Sequence, residues 1–143
     1  MPRVSMSVFS LALLTLSAAS SQPTFSGEPP PADCSAALST VEMNNCAGAE
    51  FDKADAELNR VYKAALAAVP EMATGEPPFD KPNWEEALRA SQRAWLAFRD
   101  AECEGHVEKF WGGGTGATVD IIGCKTEKTE QRTKELKQRY EIE

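Results

Sequence analysis

Cys34, Cys46, Cys103 and Cys124 are the residues best able to do chemistry in this 143-residue chain, and their number is even. Thiolates bind metal or pair into disulfides, and the redox compartment decides between the two. Cys103 and His106 have the C-x-x-H spacing of half a zinc site, but a structural site needs four ligands and the chain has a single histidine. Disulfides are therefore expected, and no metal. Separations of 12 and 21 residues within each half favour Cys34 with Cys46 and Cys103 with Cys124, without excluding the crossed pairings.

The remaining constellations do not assemble a catalytic site. His106 has no evident serine or free cysteine to activate. Carboxylates are abundant, but no pair is set apart as acid and base. Gly112-Gly113-Gly114-Thr115-Gly116, followed by Gly123-Cys124-Lys125-Thr126, is superficially like a phosphate loop. Cys124 interrupts the required G-K-[ST] ending and no strand precedes it, so nucleotide binding is rejected. Neither a catalytic residue nor a cofactor is expected, and the chain is not read as an enzyme.

The elements that must position these groups read as helices. Ser39-x-x-Glu42 is a capping box. Ala47, Phe51, Ala54, Leu58, Val61 and Ala65 then recur at alternating spacings of four and three, an apolar stripe on a long helix that stops at Pro70. Pro70 to Pro82 holds four prolines and Gly75, which makes it a loop. A second start signal, Asn83-x-x-Glu86, opens a helix from about Trp84 to Phe110 with the stripe Trp84, Leu88, Ser91, Trp95 and Phe98. Val119, Ile122, Thr129, Leu136 and Tyr140 mark one face of a third helix, supported by the pairs Glu130 with Lys134 and Glu135 with Arg139. The expected fold is all-α: an antiparallel two-helix hairpin plus a third C-terminal helix, stapled by two disulfides near one pole.

Residues 1–21 have the layout of a signal peptide: Arg3, an apolar run from Val8 to Leu16, and small residues to Ser21. Residues 22–32 are a proline-rich leader expected to be disordered, and the folded domain is expected over 33–143. The chain carries a net charge of -7, and 22–110 hold 16 acidic against 8 basic side chains. Such a surface is a poor partner for nucleic acid, and no membrane insertion is expected. Export to the periplasm or the medium and a protein partner are the consistent expectations.

Polar residues flank both stripes. Asp55, Asn59 and Tyr62 lie beside the first; Gln92, Trp95 and Arg99 lie on the second. In an antiparallel hairpin Asp55 meets Arg99, and Asn59 or Tyr62 meets Gln92. Such a network is read as a device that fixes helix register rather than as a site.

A resemblance runs through the same residues. Asp33-Cys34, Glu42-Met43 and Cys46 are followed by Ala54-Asp55-x-x-Leu58-Asn59-x-x-Tyr62 and by Gln92-Arg93-Ala94-Trp95-Leu96-x-x-Arg99-Asp100-x-x-Cys103. Gly112-Gly113-Gly114-Thr115, Cys124 and Arg132-x-x-x-Leu136 complete the series. From Asp33 to Leu136 the chain resembles the lysozyme inhibitor LprI-like N-terminal domain family. The resemblance implies an exported helical domain whose role is inhibition of lysozyme; the matching positions read as scaffold, so no inhibitory residue is carried over.

Two functions follow as expectations. The first is an envelope protein that binds lysozyme and occludes its cleft, with acidic helices suited to a basic enzyme. Its blocking tip is expected at Gly112, Gly113, Gly114, Thr115 and Gly116, flanked by Lys109 and Lys125. The second is a periplasmic helical structural or interaction module with no lysozyme contact.

Overall fold

The computed structural model describes residues 33–143; the expected signal peptide (1–21) and leader (22–32) lie outside them. A short 3-10 turn (Cys34–Ala36) leads into helix α1 (Thr40–Met72). The capping box forms as expected: the Ser39 hydroxyl accepts from the Glu42 amide at 3.2 Å, and the Glu42 carboxylate accepts from the Ser39 amide at 2.9 Å. The Ser39 and Leu38 amides hold the Glu42 carboxyl below its ordinary range.

The stop expected at Pro70 falls instead at Met72. Proline withdraws its own N–H from the ladder and crowds the carbonyl four residues before it, a cost that a last turn can absorb. The fully buried Val69 anchors that last turn, and the Ala73 amide closes it on the Val69 carbonyl at 2.8 Å.

Helix α2 (Lys81–Asp100) starts earlier than expected, because Pro82 sits in the first turn, where a missing N–H leaves no bond unmade. Asn83 does not cap it; its side-chain amide donates back to the Asp80 carboxylate. The rod continues through a π-helical stretch (Ala101–Val107) into α3 (Glu108–Trp111) and ends on Gly112 in the left-handed conformation. Helix α4 (Ala117–Tyr140) completes the fold. The described residues are all-helical, as expected, with the disulfides paired Cys34–Cys46 and Cys103–Cys124.

Cross-helix pairs give the directions. Asp55 of α1 meets Arg99 of α2, and Val69 shares a core with Leu88, so α2 runs antiparallel to α1. Phe51 faces Lys125 and Glu57 bonds Lys137, so α4 runs parallel to α1. The closest pair in the molecule is this parallel one, α1 with α4. Its α4 seam runs Ile122, Thr126, Thr129, Thr133, Leu136 and Tyr140, the same four-three spacing as the α1 stripe. Two equal periods near 3.5 residues keep two helices in contact along their length. The Thr126 and Thr133 hydroxyls bond the carbonyls of Ile122 and Thr129 on their own helix, so these polar residues sit in the seam with their hydroxyls satisfied.

Leu58, Val61, Ala65, Val69, Leu88 and Leu136 form the apolar core, with Trp84, Trp95 and Tyr140 packed against it. This core occupies the half of the bundle away from the disulfides. Ser91 and Phe98, expected on the α2 stripe, are exposed; α2 instead buries Leu88, Gln92 and Arg99, because α4 takes the groove facing that side. Of the expected charge pairs on α4, Glu135 reaches back to Arg132 at 3.0 Å rather than forward to Arg139, since the Arg132 guanidinium is buried and needs the partner.

Glu57 ties the parallel helices, bonding Arg60 at 2.7 Å and Lys137 at 2.8 Å. The Arg60 hydrogen bond, then that of Lys137, pushes its carboxyl down to about 2 from 4.5. A depressed carboxyl contributes stability above its unfolded value and loses it as pH falls through the folded one. Glu57→Gln is therefore expected to lower the thermal midpoint near neutrality and to match the wild type near pH 2, with the gap closing below about pH 4.5. A gap that stays constant across this range would separate Glu57 from the acid limb.

Candidate functional site

The expected polar network exists in part and is larger than expected. The Arg99 guanidinium, 6 % exposed, lies 3.6 Å from Asp55, donates to Asp100 at 2.9 Å and donates to the Thr129 hydroxyl at 3.2 Å. Asn59 does not reach Gln92; it donates to Asp55 one turn earlier at 2.8 Å. Tyr62 packs on the apolar core instead. Gln92 faces α4, where its amide oxygen accepts from Arg132 at 3.1 Å. Arg132, 5 % exposed, also donates to Ser91 and Glu135.

Aromatic rings separate these cations. Lys125 lies over Phe51 at 5.5 Å, Arg99 lies over Phe51 at 5.4 Å and over Trp95 at 5.3 Å, and Arg132 approaches Trp95 at 6.0 Å. The order Lys125, Phe51, Arg99, Trp95, Arg132 thus alternates cation and ring across three helices. Each contact of this kind contributes roughly 0.5–2 kcal/mol. Every cation in the ladder also lies against a carboxylate. The spacing places Thr129 on the α4 face and the family pattern includes Arg132, but neither signal shows their bonds to α2.

The glycine-rich turn lies at the end of the bundle where α1 and α4 begin. Gly112 and Gly113 have φ of 55° and 83°, in the region that favours glycine. The Gly114 amide donates to the Trp111 carbonyl and the Ala117 amide to the Gly114 carbonyl, both at 3.0 Å. The Trp111 indole folds over the turn and donates to Asp120 at 2.8 Å. A Cβ on Gly116 would stand 2.4 Å from the indole ring, so glycine there is what admits the ring. Behind the turn, Cys103 is fully buried and bonded to Cys124, joining the two arms.

Thr115 and Gly112 to Gly114 are exposed at the tip, and Lys109 is exposed one turn before it. Lys125 does not flank the turn as expected. Its ammonium is held 2.7 Å from Glu104 and 3.5 Å from Asp100, because the buried end of the ladder draws it inward. The feature that sequence reading passed over is Phe110, 80 % exposed beside the tip, with the exposed His106 ring against it at 5.1 Å. Two concave features lie elsewhere: an open groove between α1 and α4, lined by Glu50, Glu57 and Glu130 and by Lys53, Lys134 and Lys137, and a smaller one beside Trp84, Leu88, Ser91 and Tyr140.

Three comparisons place the chain among known proteins. The family model described as "Lysozyme inhibitor LprI" matches residues 32–136. "Uncharacterized protein R02472" of Rhizobium meliloti (strain 1021) is 36 % identical over 115 residues, covering 78 % of this chain and 81 % of that protein. "Uncharacterized protein YecT" of Escherichia coli (strain K12) is 38 % identical over 65 residues, which cover 43 % of this chain and 38 % of that one. No solved structure matches.

Two substitutions test this geometry. Trp95→Ala is expected to cost about 3 kcal/mol in chemical denaturation, because the ring separates two buried guanidiniums as well as packing on the core. An unchanged midpoint would take Trp95 out of the ladder. Gly116→Ala is expected to expel the Trp111 indole into water, read as a red-shifted tryptophan emission, with the helical spectrum intact. Unaltered emission would mean that the indole does not rest on the turn.

Proposed function

The chain belongs to the lysozyme inhibitor LprI family, and from that premise we propose that it is an exported protein that binds a lysozyme and inhibits it by occluding the sugar cleft. The observation that carries the reading is the match over residues 32–136, which spans both disulfides, the ladder and the glycine-rich turn. Two disulfides support an oxidising compartment, periplasmic or extracellular. Among the described residues no helix is long and apolar enough to cross a membrane.

Occlusion needs an element that projects and keeps its shape. The turn at Gly112–Gly116 supplies both: it stands at one end of the bundle, and hydrogen bonds, the Trp111 indole and the Cys103–Cys124 bridge fix it. A pre-ordered loop loses less entropy on binding than a mobile one. The net charge of -7 suits a basic enzyme and would speed encounter more than it would secure the complex. The α1/α4 groove is a weaker candidate, since its acidic and basic side chains balance and attract neither sign.

A turbidity assay decides the matter. Processed protein added in large molar excess to a lysozyme digesting bacterial cells is expected to slow clearing in proportion to its concentration. Clearing at the unmodified rate would end the inhibitor reading and leave a helical interaction module without lysozyme contact.

A further inference from the structure

We propose that Phe110 is the residue that enters the partner: its ring occupies a sugar subsite of a basic glycan-cleaving enzyme, while a collar of carboxylates meets that enzyme's basic rim. The inference rests on the lysozyme reading and adds to it the contact residue and its chemistry. It replaces the basic tip expected from Lys109 and Lys125, one of which is drawn away.

Exposure is the first ground. Phe110 is 80 % exposed and its neighbour Trp111 43 %, at the end of a rod that buries few large apolar side chains. Burying an aromatic ring is worth roughly 1.5–3 kcal/mol, and Phe110 with the adjacent Trp111 forms a small aromatic patch at this end that a partner can cover. Phe98, also exposed, is by contrast covered by the Lys128 ammonium at 5.1 Å.

Rigidity is the second. Phe110 directly precedes Trp111, whose indole is clamped between Gly116 and Asp120, and follows His106, whose ring lies against it. The His106 ring lies against Phe110 and Trp111 fixes the backbone beside it, and aromatic anchors dominate binding energy in protein interfaces. Trp111 is a positioning residue in this scheme, because it fixes the turn while Phe110 makes the contact.

Charge is the third. Glu102, Glu104 and Glu108 lie within the two turns before Phe110, and Asp120 lies on the first turn of α4. Lys125 offsets Glu104 at 2.7 Å and Lys109 adds a second positive charge, so Glu102, Glu108 and Asp120 leave this pole net negative; His106 adds a charge only when protonated. An apolar ring inside a negative collar fits a cleft that binds the faces of pyranose rings and is rimmed by positive charge. A nucleic acid or an anionic membrane would meet the same collar with repulsion.

The test measures binding of a chicken-type lysozyme by calorimetry, alongside clearing of cells, for the wild type, Phe110→Ala, Phe110→Tyr and Leu38→Ala. Phe110→Ala is expected to weaken Kd at least tenfold, about 1.4 kcal/mol, with an unchanged helical spectrum and melting midpoint because the ring is exposed. Phe110→Tyr keeps a ring and is expected to stay within threefold, and Leu38→Ala is expected to bind as the wild type. A chitin trisaccharide, which fills the cleft, is expected to compete with the wild type. If the wild type binds and Phe110→Ala binds equally well, or the trisaccharide does not compete, this inference falls while the lysozyme reading survives. If the wild type does not bind at all, both fall together.

Discussion

Two guanidiniums held away from water govern how this bundle is built. Arg99 and Arg132 are each nearly inaccessible, and a buried cation without partners costs several kcal/mol. Their partners come from every rod: Asp55 and Phe51 from α1, Asp100, Gln92 and Trp95 from α2, and Thr129 and Glu135 from α4. Sliding any helix by one turn would strand at least one of these charges. Apolar seams spaced near 3.5 residues tolerate such a slip, since Leu and Ala match one another in several registers. The ladder therefore supplies register, and the apolar contacts supply most of the driving force.

That division runs along the length of the molecule. The half away from the disulfides holds Leu58, Val61, Ala65, Val69, Leu88 and Leu136, a small but dry core. The other half holds the ladder and two sulfur bridges, with few large apolar side chains buried. Bridges that close loops of 12 and 21 residues restrict the unfolded chain by about 3 kcal/mol each, which offsets the thin packing there. Cys34–Cys46 fastens the entry turn to α1, and Cys103–Cys124 fastens the π-helical stretch to α4. The polar half is thereby stiff enough to present a loop.

What the residue pattern revealed, and what it hid, follows from the same division. Helix α1 was readable because its stripe is apolar and its cap is a capping box, both local signals. The parallel pairing of α1 with α4 was not, because Thr126, Thr129 and Thr133 of the α4 seam, and Arg132 beside it, score as polar although they are wholly or partly buried. Threonine hides in a seam when its hydroxyl bonds its own helix, and arginine when rings flank it; neither condition shows in a single segment. Gln92 is expected against Asn59 or Tyr62 because a hairpin pairs α2 with α1; its bond to Arg132 needs the placement of α4. At the candidate site the glycines of the turn were evident, but Phe110 read as the last residue of a helix. Its exposure is set by which faces the neighbouring helices cover, and the spacing within one segment does not show that.

The residues that carry the family likeness are largely those of the ladder and the bridges: Asp55, Gln92, Trp95, Arg99, Asp100, Arg132 and the four cysteines. Each has a partner inside the fold, so membership fixes an architecture before it fixes a contact surface. Of the tip, only Gly112 to Thr115 belong to that set, and their part is to reverse the chain with two positive φ values. Position 110 stands outside it. A scaffold locked by buried charge can change the side chain at its tip without disturbing register, because the tip touches the scaffold through Trp111, Asp120 and His106 and not through the ladder. Under the proposed reading, a few exposed side chains at one pole select the partner, and the rest of the fold holds them still.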